Sequence, residues 1–129
     1  MGIIENRLKQ IEELKEKRIL IKIINNKEYD EPYIYDAETR EYFSCVDVME
    51  DYYKDNNKIM PKYAYGVYFE PIKLDLYYIL ENACEEHHED TINSLNSVRE
   101  LQEAIDKFNE NNKLNGSYFE DTNTIVKLF

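Results

Sequence analysis

Metal-ligating residue types cluster at one place in the sequence, where a cysteine and two histidines stand within five residues. Cys84 lies three residues before His87 and four residues before His88. If this segment is helical, the three side chains share one face, because residues three and four apart are neighbours on a helix. Zinc prefers thiolate and imidazole ligands and takes about four of them in a tetrahedron. The pattern therefore predicts a zinc site that needs further ligands, with Glu81 and Cys45 as candidates.

A second interpretation of the same residues involves no metal. Cys84 and His87 then pack beside an apolar stripe, and His88 is solvated. We favour this interpretation, because cysteine is among the residue types most often buried. If a metal is bound, a structural zinc ion fits better than a catalytic one, since no surrounding motif marks an open coordination position.

The sequence carries no motif typical of nucleophilic or nucleotide chemistry. It has no Gly-x-Ser-x-Gly elbow and no glycine-rich phosphate loop, and only three glycines occur in 129 residues. No catalytic residue is assigned, and we expect a protein that is not an enzyme.

Charge is the most unusual property of the chain. It contains 27 Asp and Glu against 16 Lys and Arg, a formal net charge of −11. Residues 1–27, a basic N-terminal segment, hold seven basic and four acidic residues, whereas the acidic body over residues 28–129 holds nine and 23. An acidic surface repels nucleic acid and anionic membrane and attracts basic protein surfaces. We therefore expect a basic protein surface as the partner, with no direct nucleic-acid or membrane binding.

Tyrosine accompanies this charge, since the chain has 12 Tyr and no Trp. The tyrosine side chain offers rigid, amphipathic contact area of the kind that is enriched at protein interfaces. Carboxylates follow two predicted helices, and Glu81, Glu85 and Glu89 form one ridge at i, i+4 spacing. Like charges at this spacing oppose helix stability by about 0.2–0.5 kcal/mol per pair. They serve either solubility or the recognition of a cationic groove. The predicted partner-binding residues are Asp47, Glu50, Asp51, Tyr52, Tyr53, Tyr77, Tyr78, Glu81, Glu85 and Glu89.

Hydrophobic periodicity predicts an α+β fold in which a small antiparallel sheet packs with three to four amphipathic helices, as a single domain over residues 1–129. Helices are predicted over residues 3–17, 45–54, 75–90 and 98–112. Strands are predicted over residues 32–36, 41–44, 63–70 and 124–129, the first two as a hairpin. Residues 19–24 either continue the first helix or form a short strand.

Several single residues mark the expected ends and irregularities of these elements. Ser44 is expected to cap the second helix, and Ser97 with Glu100 has the capping-box pattern before the last one. Gly66 marks a candidate bulge in its strand. The apolar stripe of the last helix, which consists of Leu101, Ala104, Ile105 and Phe108, is expected to be buried.

The expected compartment is the cytoplasm. No apolar run approaches membrane-spanning length, and the residues after Met1 do not have the apolar core of a secretory signal. Cys45 and Cys84 lie far apart and are predicted to be free thiols.

One stretch of sequence resembles known proteins. It comprises Leu74-Asp75, Ile79–Ala83, Glu89-Asp90, Glu100–Asp106 and Ser117-Tyr118. Together with a composition rich in Asn, Ile, Lys and Tyr, it looks like the C-terminal half of a family of uncharacterised proteins from phages and prophages of Gram-positive bacteria. Tyr33–Tyr53 is similar to the N-terminal half of that family, and residues 1–27 lie outside the resemblance.

In general character the chain is similar to type II anti-CRISPR proteins, some of which are acidic and block DNA entry to the nuclease. The resemblance implies a non-enzymatic phage inhibitor that binds a basic surface of a host defence nuclease, a CRISPR effector, and blocks nucleic-acid loading. The alternative is a small zinc-binding structural or interaction protein of phage origin without an inhibitory role.

Overall fold

The computed structural model describes residues 2–14 and 21–129, which form four α-helices and five β-strands. The helices are α1 (Ile3–Leu14), α2 (Val46–Asp55), α3 (Leu76–Cys84) and α4 (Val98–Asn111). The strands are β1 (Lys22–Asn25), β2 (Ile34–Asp36), β3 (Glu41–Phe43), β4 (Tyr63–Pro71) and β5 (Gly116–Lys127). Short 3-10 helices occupy Asn26–Glu28 and Thr91–Ser94. Within the described ranges, no helix is long and apolar enough to cross a membrane.

The strands form one sheet in the order β1-β5-β4-β2-β3. Strand β2 runs antiparallel to both β3 and β4, with Tyr35 opposite Tyr42 on one side and Tyr65 on the other. Strand β1 runs parallel to β5, with Ile23 opposite Ile125. The predicted α+β class and the predicted hairpin are confirmed. The sheet is mixed and not purely antiparallel. The reason is that Lys22–Asn25 forms a strand, β1, which pairs with β5 in parallel and does not continue the first helix.

Apolar side chains cover both faces of the sheet. Successive residues of a strand point to opposite faces, so neighbouring positions feed two separate clusters. On one face, Val126 of β5 packs with Met49 of α2, and both side chains are fully buried. On the other face, Ile125 packs with Tyr65 of β4 and Ile4 of α1. The helices α1 and α2 thus lie on opposite sides of one sheet.

Helix α2 follows the sequence prediction closely. Its buried stripe consists of Val46, Met49 and Tyr53. The N-cap is Cys45 without a side-chain hydrogen bond, so the expected cap at Ser44 is wrong. The helix ends where Asn57 adopts a left-handed backbone with φ of 52°, a conformation that asparagine tolerates better than most residues.

The other helices differ from prediction mainly at their ends. Helix α1 is confirmed over its described residues, and residues 15–17 lie outside them. Helix α3 ends at Cys84, six residues before the predicted end. Ser97 precedes α4 with φ of 62° and makes no side-chain cap hydrogen bond, so the predicted capping box is wrong. Strand β5 begins at Gly116, eight residues earlier than predicted.

Gly66 is needed for close packing in the middle of β4. A Cβ atom there would lie 2.8 Å from Cγ2 of Thr124 and 3.2 Å from the ring of Tyr29. The missing side chain makes room for Tyr29, whose hydroxyl accepts a hydrogen bond from Val67 N–H at 2.9 Å and donates to Tyr33 O at 2.5 Å. Gly66 therefore leaves room for the Tyr29 side chain, whose hydroxyl satisfies the Val67 N–H and the Tyr33 carbonyl.

Contacts divide the protein into two compact units. The first consists of the described residues up to Tyr68 together with Tyr118–Phe129, and the second is Phe69–Ser117. That residues 1–129 form a single domain stays a prediction.

A buried carboxylate lies at the centre of the first unit. Asp36, at the end of β2, has no exposed surface. It accepts hydrogen bonds from the Tyr53 hydroxyl at 2.5 Å, the Thr39 hydroxyl at 2.7 Å and Glu38 N–H at 3.1 Å. These three donors replace the water that the carboxylate loses on burial, and no cation of the described residues pairs with it.

Substituting Tyr53 by Phe removes one of these donors and leaves the ring in place. We expect Tyr53→Phe to lower the free energy of unfolding by about 1–3 kcal/mol, the usual cost of an unsatisfied buried polar group. Tyr52→Phe is the matched control, because no hydrogen bond of the Tyr52 hydroxyl occurs within the described residues, and it should cost about 0.5 kcal/mol or less. Urea unfolding followed by circular dichroism measures both. Equal losses would contradict the role assigned to the hydroxyl.

The same interaction predicts a dependence of stability on pH. The pKa of Tyr53 is raised above its ordinary value of 10.0, first by burial, which disfavours the phenolate, and then by the hydrogen bond to Asp36. The folded protein therefore holds this proton more tightly than the unfolded chain does. The resulting stabilisation is fully present below the unfolded pKa and is lost as the pH rises above it. In urea unfolding at successive pH values, the stability gap between the wild type and Tyr53→Phe should narrow above pH 10.0. A constant gap would refute this linkage.

Candidate protein-binding surface

The second unit carries an open groove between α3, the 3-10 helix Thr91–Ser94 and α4. Its volume is about 770 Å³. The apolar part of the lining consists of Leu74, Leu76, Leu80, Ile92 and Val98, and Tyr77 contributes an aromatic ring. The polar part consists of Lys73, Asp75, Asn93, Gln102, Asp106 and Asn109. A concave apolar lining with interspersed polar groups is the usual composition of a binding site.

A reciprocal pair of hydrogen bonds fixes the segment before α3 to α4. Leu74 N–H donates to Asn109 Oδ1, and Asn109 Nδ2 donates to Leu74 O, both at 2.8 Å. Asp75 then caps α3, because its carboxylate accepts a hydrogen bond from Tyr78 N–H at 2.8 Å. The first turn of α3, which includes Tyr77, is thus held at a defined position beside the groove.

Tyr77 and Tyr78 are the most exposed tyrosines of the protein's described residues. Their exposed fractions are 66% and 65%. Neither side chain makes a hydrogen bond or a ring contact within the part of the chain that the structure describes. Both rings and both hydroxyls are therefore accessible to another molecule. Tyrosine in this state suits an interface, because it offers apolar area and a hydrogen-bonding tip together.

Apolar side chains of the second unit are unusually exposed. Within Phe69–Ser117, which the structure describes throughout, Ile105 is the only buried hydrophobic residue. Leu101 and Phe108 were predicted to share its buried stripe on α4, but they are 40% and 41% exposed. Exposed apolar area of this kind occurs more often at interaction sites than on the rest of a protein surface.

The second unit is also the more acidic one. It holds 11 acidic and four basic residues, a net charge of −7 out of −11 for the whole chain. Two of its four cations already have acidic partners, Arg99 with Glu103 at 3.6 Å and Lys113 with Glu110 at 2.7 Å. The excess of carboxylates gives the second unit a negative potential that attracts cations.

The predicted ridge of Glu81, Glu85 and Glu89 is wrong as a feature of one helix. Only Glu81 lies inside α3, Glu85 is the C-cap residue, and Glu89 lies in a turn beyond it. All three side chains are exposed. They remain available to a partner, but their i, i+4 spacing does not align them, because the helix ends at Cys84.

In the first unit, carboxylates follow the solvent-facing side of α2. Asp47 and Asp51 are exposed, and no cation of the described residues pairs with them. Asp55 continues this row by one further helical turn. Glu50, which was predicted to act with them, is instead 3.7 Å from Lys54. An ion pair between exposed side chains contributes about 0–1 kcal/mol. A partner can therefore displace Lys54 from Glu50 at little cost.

The two tyrosines of α2 face the core. Tyr52 is half-buried and packs on Phe43, with ring centroids 5.5 Å apart. Tyr53 is only 3% exposed and donates its hydroxyl to Asp36. A partner of the folded protein cannot reach Tyr53, so its prediction as an anchor is corrected.

The predicted metal ligands do not share a helical face. Cys84 is half-buried at the last position of α3, whereas His87 and His88 follow in a turn and are exposed. Among residues 2–14 and 21–129, no group of three or more His, Cys, Asp and Glu is arranged to hold a metal ion. Both cysteines are free thiols, as predicted. Zinc binding stays a prediction.

Comparisons with known proteins add no relative. The chain matches no protein-family model, and no curated protein or solved structure matches it significantly.

Sequence reasoning missed the groove itself. Leu74 and Ile92 lie outside the helical stripes from which the core was predicted, and the role of Asn109 depends on a contact 35 residues away. The available signal was the pair of apolar residues Ile72 and Leu74 between Pro71 and the cap Asp75. Apolar residues in a connecting segment often cover an adjacent surface.

The exposure of Tyr77 and Tyr78 predicts that both can be removed without unfolding the protein. We expect the double variant Tyr77→Ala/Tyr78→Ala to lose about 1 kcal/mol or less, because exposed side chains contribute little to stability. Ile105→Ala in the same unit should cost about 2–5 kcal/mol, since it creates a cavity. Thermal and urea unfolding compare the two. A double variant as unstable as Ile105→Ala would show that the tyrosines belong to the core.

Proposed function

We propose that the protein is a non-enzymatic binding protein whose second unit docks on a basic surface of another protein. The observation that supports this best is the exposure of Tyr77 and Tyr78 beside an apolar groove, in a unit with a net charge of −7. Neither feature alone would suffice, since charge also serves solubility and single exposed apolar residues are common. Together they provide long-range attraction and a contact surface.

The two features act at different stages of binding. The negative potential raises the rate at which a basic partner is encountered, by about 10-fold to 1000-fold at low salt. The tyrosines and the groove then exclude water and hold the partner, which mainly lowers the dissociation rate. Aromatic anchors of this type commonly carry 2 kcal/mol or more of the binding free energy.

In its narrower form, the proposal identifies the partner surface as one that normally binds nucleic acid. The exposed carboxylates carry a series of negative charges. The cations of a nucleic-acid-binding surface could pair with these carboxylates in place of phosphates. The similarity in character to type II anti-CRISPR proteins supports a CRISPR effector nuclease of the bacterial host as the partner. The protein would then act in the host cytoplasm by blocking nucleic-acid loading.

An affinity experiment tests the docking surface. The protein is immobilised and exposed to a lysate of a Gram-positive bacterium, and the retained proteins are challenged with double-stranded DNA. We expect nucleic-acid-binding proteins to be retained by the wild type, released by the DNA and lost with Tyr77→Ala/Tyr78→Ala. Tyr68→Ala is the matched control, because Tyr68 is 46% exposed but belongs to the first unit.

Two results would contradict the proposal. The double variant could retain the same proteins as the wild type, which would exclude the tyrosines as anchors. Alternatively, DNA could fail to release them, which would exclude competition for a nucleic-acid surface. For a captured partner, the association rate constant should fall as salt is raised, whereas the dissociation rate constant should change little.

A further inference from the structure

A group of tyrosines lies together on the sheet of the first unit, and none of them is among the residues to which docking is assigned. The tyrosine patch, as we call it, consists of Tyr33, Tyr35, Tyr42, Tyr118 and Glu120. Tyr33 and Tyr118 make an edge-to-face contact with centroids 5.3 Å apart, and Tyr35 and Tyr42 make another at 4.9 Å. The Tyr42 hydroxyl donates to Glu120 Oε2 at 3.0 Å.

The same face of the sheet already holds one guanidinium group. Tyr65 lies directly opposite Tyr35 in the β2–β4 ladder, so both side chains point to the same face. The guanidinium of Arg7, from α1, lies 5.5 Å from the centre of the Tyr65 ring. Its Nη1 donates to the Tyr65 hydroxyl at 3.1 Å and to the Thr122 carbonyl oxygen. This contact shows which groups the face offers to an arginine: an aromatic ring and nearby oxygen acceptors.

The tyrosine patch offers the same groups to solvent. Tyr33 and Tyr42 are 40% and 42% exposed, and Glu120 is exposed. Within the described residues, Glu120 pairs with no cation, and its hydrogen bond comes from Tyr42. Glu120 Oε2 therefore accepts a hydrogen bond from the Tyr42 hydroxyl, and the carboxylate lies beside aromatic rings.

We propose that the tyrosine patch binds an arginine side chain presented by a partner protein, with the guanidinium against Tyr42 and paired with Glu120. A planar guanidinium can stack on a ring and donate two parallel hydrogen bonds to a carboxylate. A lysine ammonium is a strongly hydrated point charge and matches this combination less well. The inference stands apart from the function proposed for the second unit, since every residue in it belongs to the first.

The charge of the patch decides between possible occupants. Phosphate groups of a nucleic acid or a lipid would be repelled by Glu120 in a protein of net charge −11. An apolar peptide would cover Glu120 and leave its charge without a partner, at a large desolvation cost. A cationic, flat side chain satisfies both the carboxylate and the rings.

Two peptides that differ only in the type of cation test this inference. Nona-arginine and nona-lysine are titrated into the full chain at equal ionic strength, and their dissociation constants are measured by calorimetry. We expect the wild type to bind the arginine peptide about threefold to tenfold more tightly, as stacking on an exposed ring predicts. Glu120→Gln and Tyr42→Ala should each abolish most of this preference.

The controls separate the patch from the general acidity of the protein. Glu86→Gln removes the same charge from an exposed position of the second unit, so it should weaken both peptides equally and keep the preference. Tyr77→Ala/Tyr78→Ala should also keep it. Circular dichroism confirms that each variant is folded.

Three outcomes would overturn the inference. The wild type could bind both peptides equally, which would leave only unspecific charge attraction. The preference could survive both Glu120→Gln and Tyr42→Ala, or it could disappear in Tyr77→Ala/Tyr78→Ala, which would place the arginine site in the second unit. The first two outcomes do not bear on whether the second unit docks on a basic partner, since that is decided by the affinity experiment with DNA.

Discussion

The structure of the first unit depends on the burial of one negative charge. Asp36 can be taken out of water only where several donors converge on it, and these come from the turn after β2 and from α2. The requirement fixes the rotation of α2, because Tyr53 must reach the end of β2. The same requirement shapes the hairpin. Arg40 adopts a left-handed backbone conformation with φ of 59°, and its N–H donates a hydrogen bond to the Asp36 carbonyl at 2.8 Å. A strained turn is thus tolerated where it completes a buried polar network.

Stability and surface chemistry are distributed unequally between the two units. In the described residues, all buried hydrophobic side chains except Ile105 lie in the first unit, which contains both core clusters. The second unit relies on a small number of polar interactions: the Asn109–Leu74 bonds, the Asp75 cap and two exposed ion pairs. Exposed polar interactions add little to stability, so the second unit should open more readily than the first. A partner that covers its apolar surface would stabilise it by mass action.

The sequence predicted those features that are decided locally and missed those that are decided by distant contacts. The aromatic hairpin, α2 and α4 have strong periodicity and turn residues, and all three were found at nearly their predicted positions. The end of α3 was missed because Cys84-Glu85-Glu86-His87-His88 contains no glycine or proline, so nothing in the pattern stops the helix. The depth of Tyr53 and the parallel pairing of β1 with β5 depend on partners far away in the chain, which periodicity does not report. Among the candidate binding residues, the carboxylates lie at the surface, as a binding role requires. The tyrosines differ, because Tyr52 and Tyr53 face the core whereas Tyr77 and Tyr78 are exposed.

The place of β5 in the sheet affects how the protein can be made. This strand lies between β1 and β4, yet it follows every other element along the chain. During vectorial synthesis on a ribosome, the residues before Gly116 emerge while the sheet still lacks its bridging strand. Until β5 arrives, β1 has no partner strand and one edge of β4 is open, and open strand edges are templates for aggregation. Folding of the first unit therefore cannot be completed before β5 has been synthesised, and the net negative charge of the chain opposes the association of such incomplete chains.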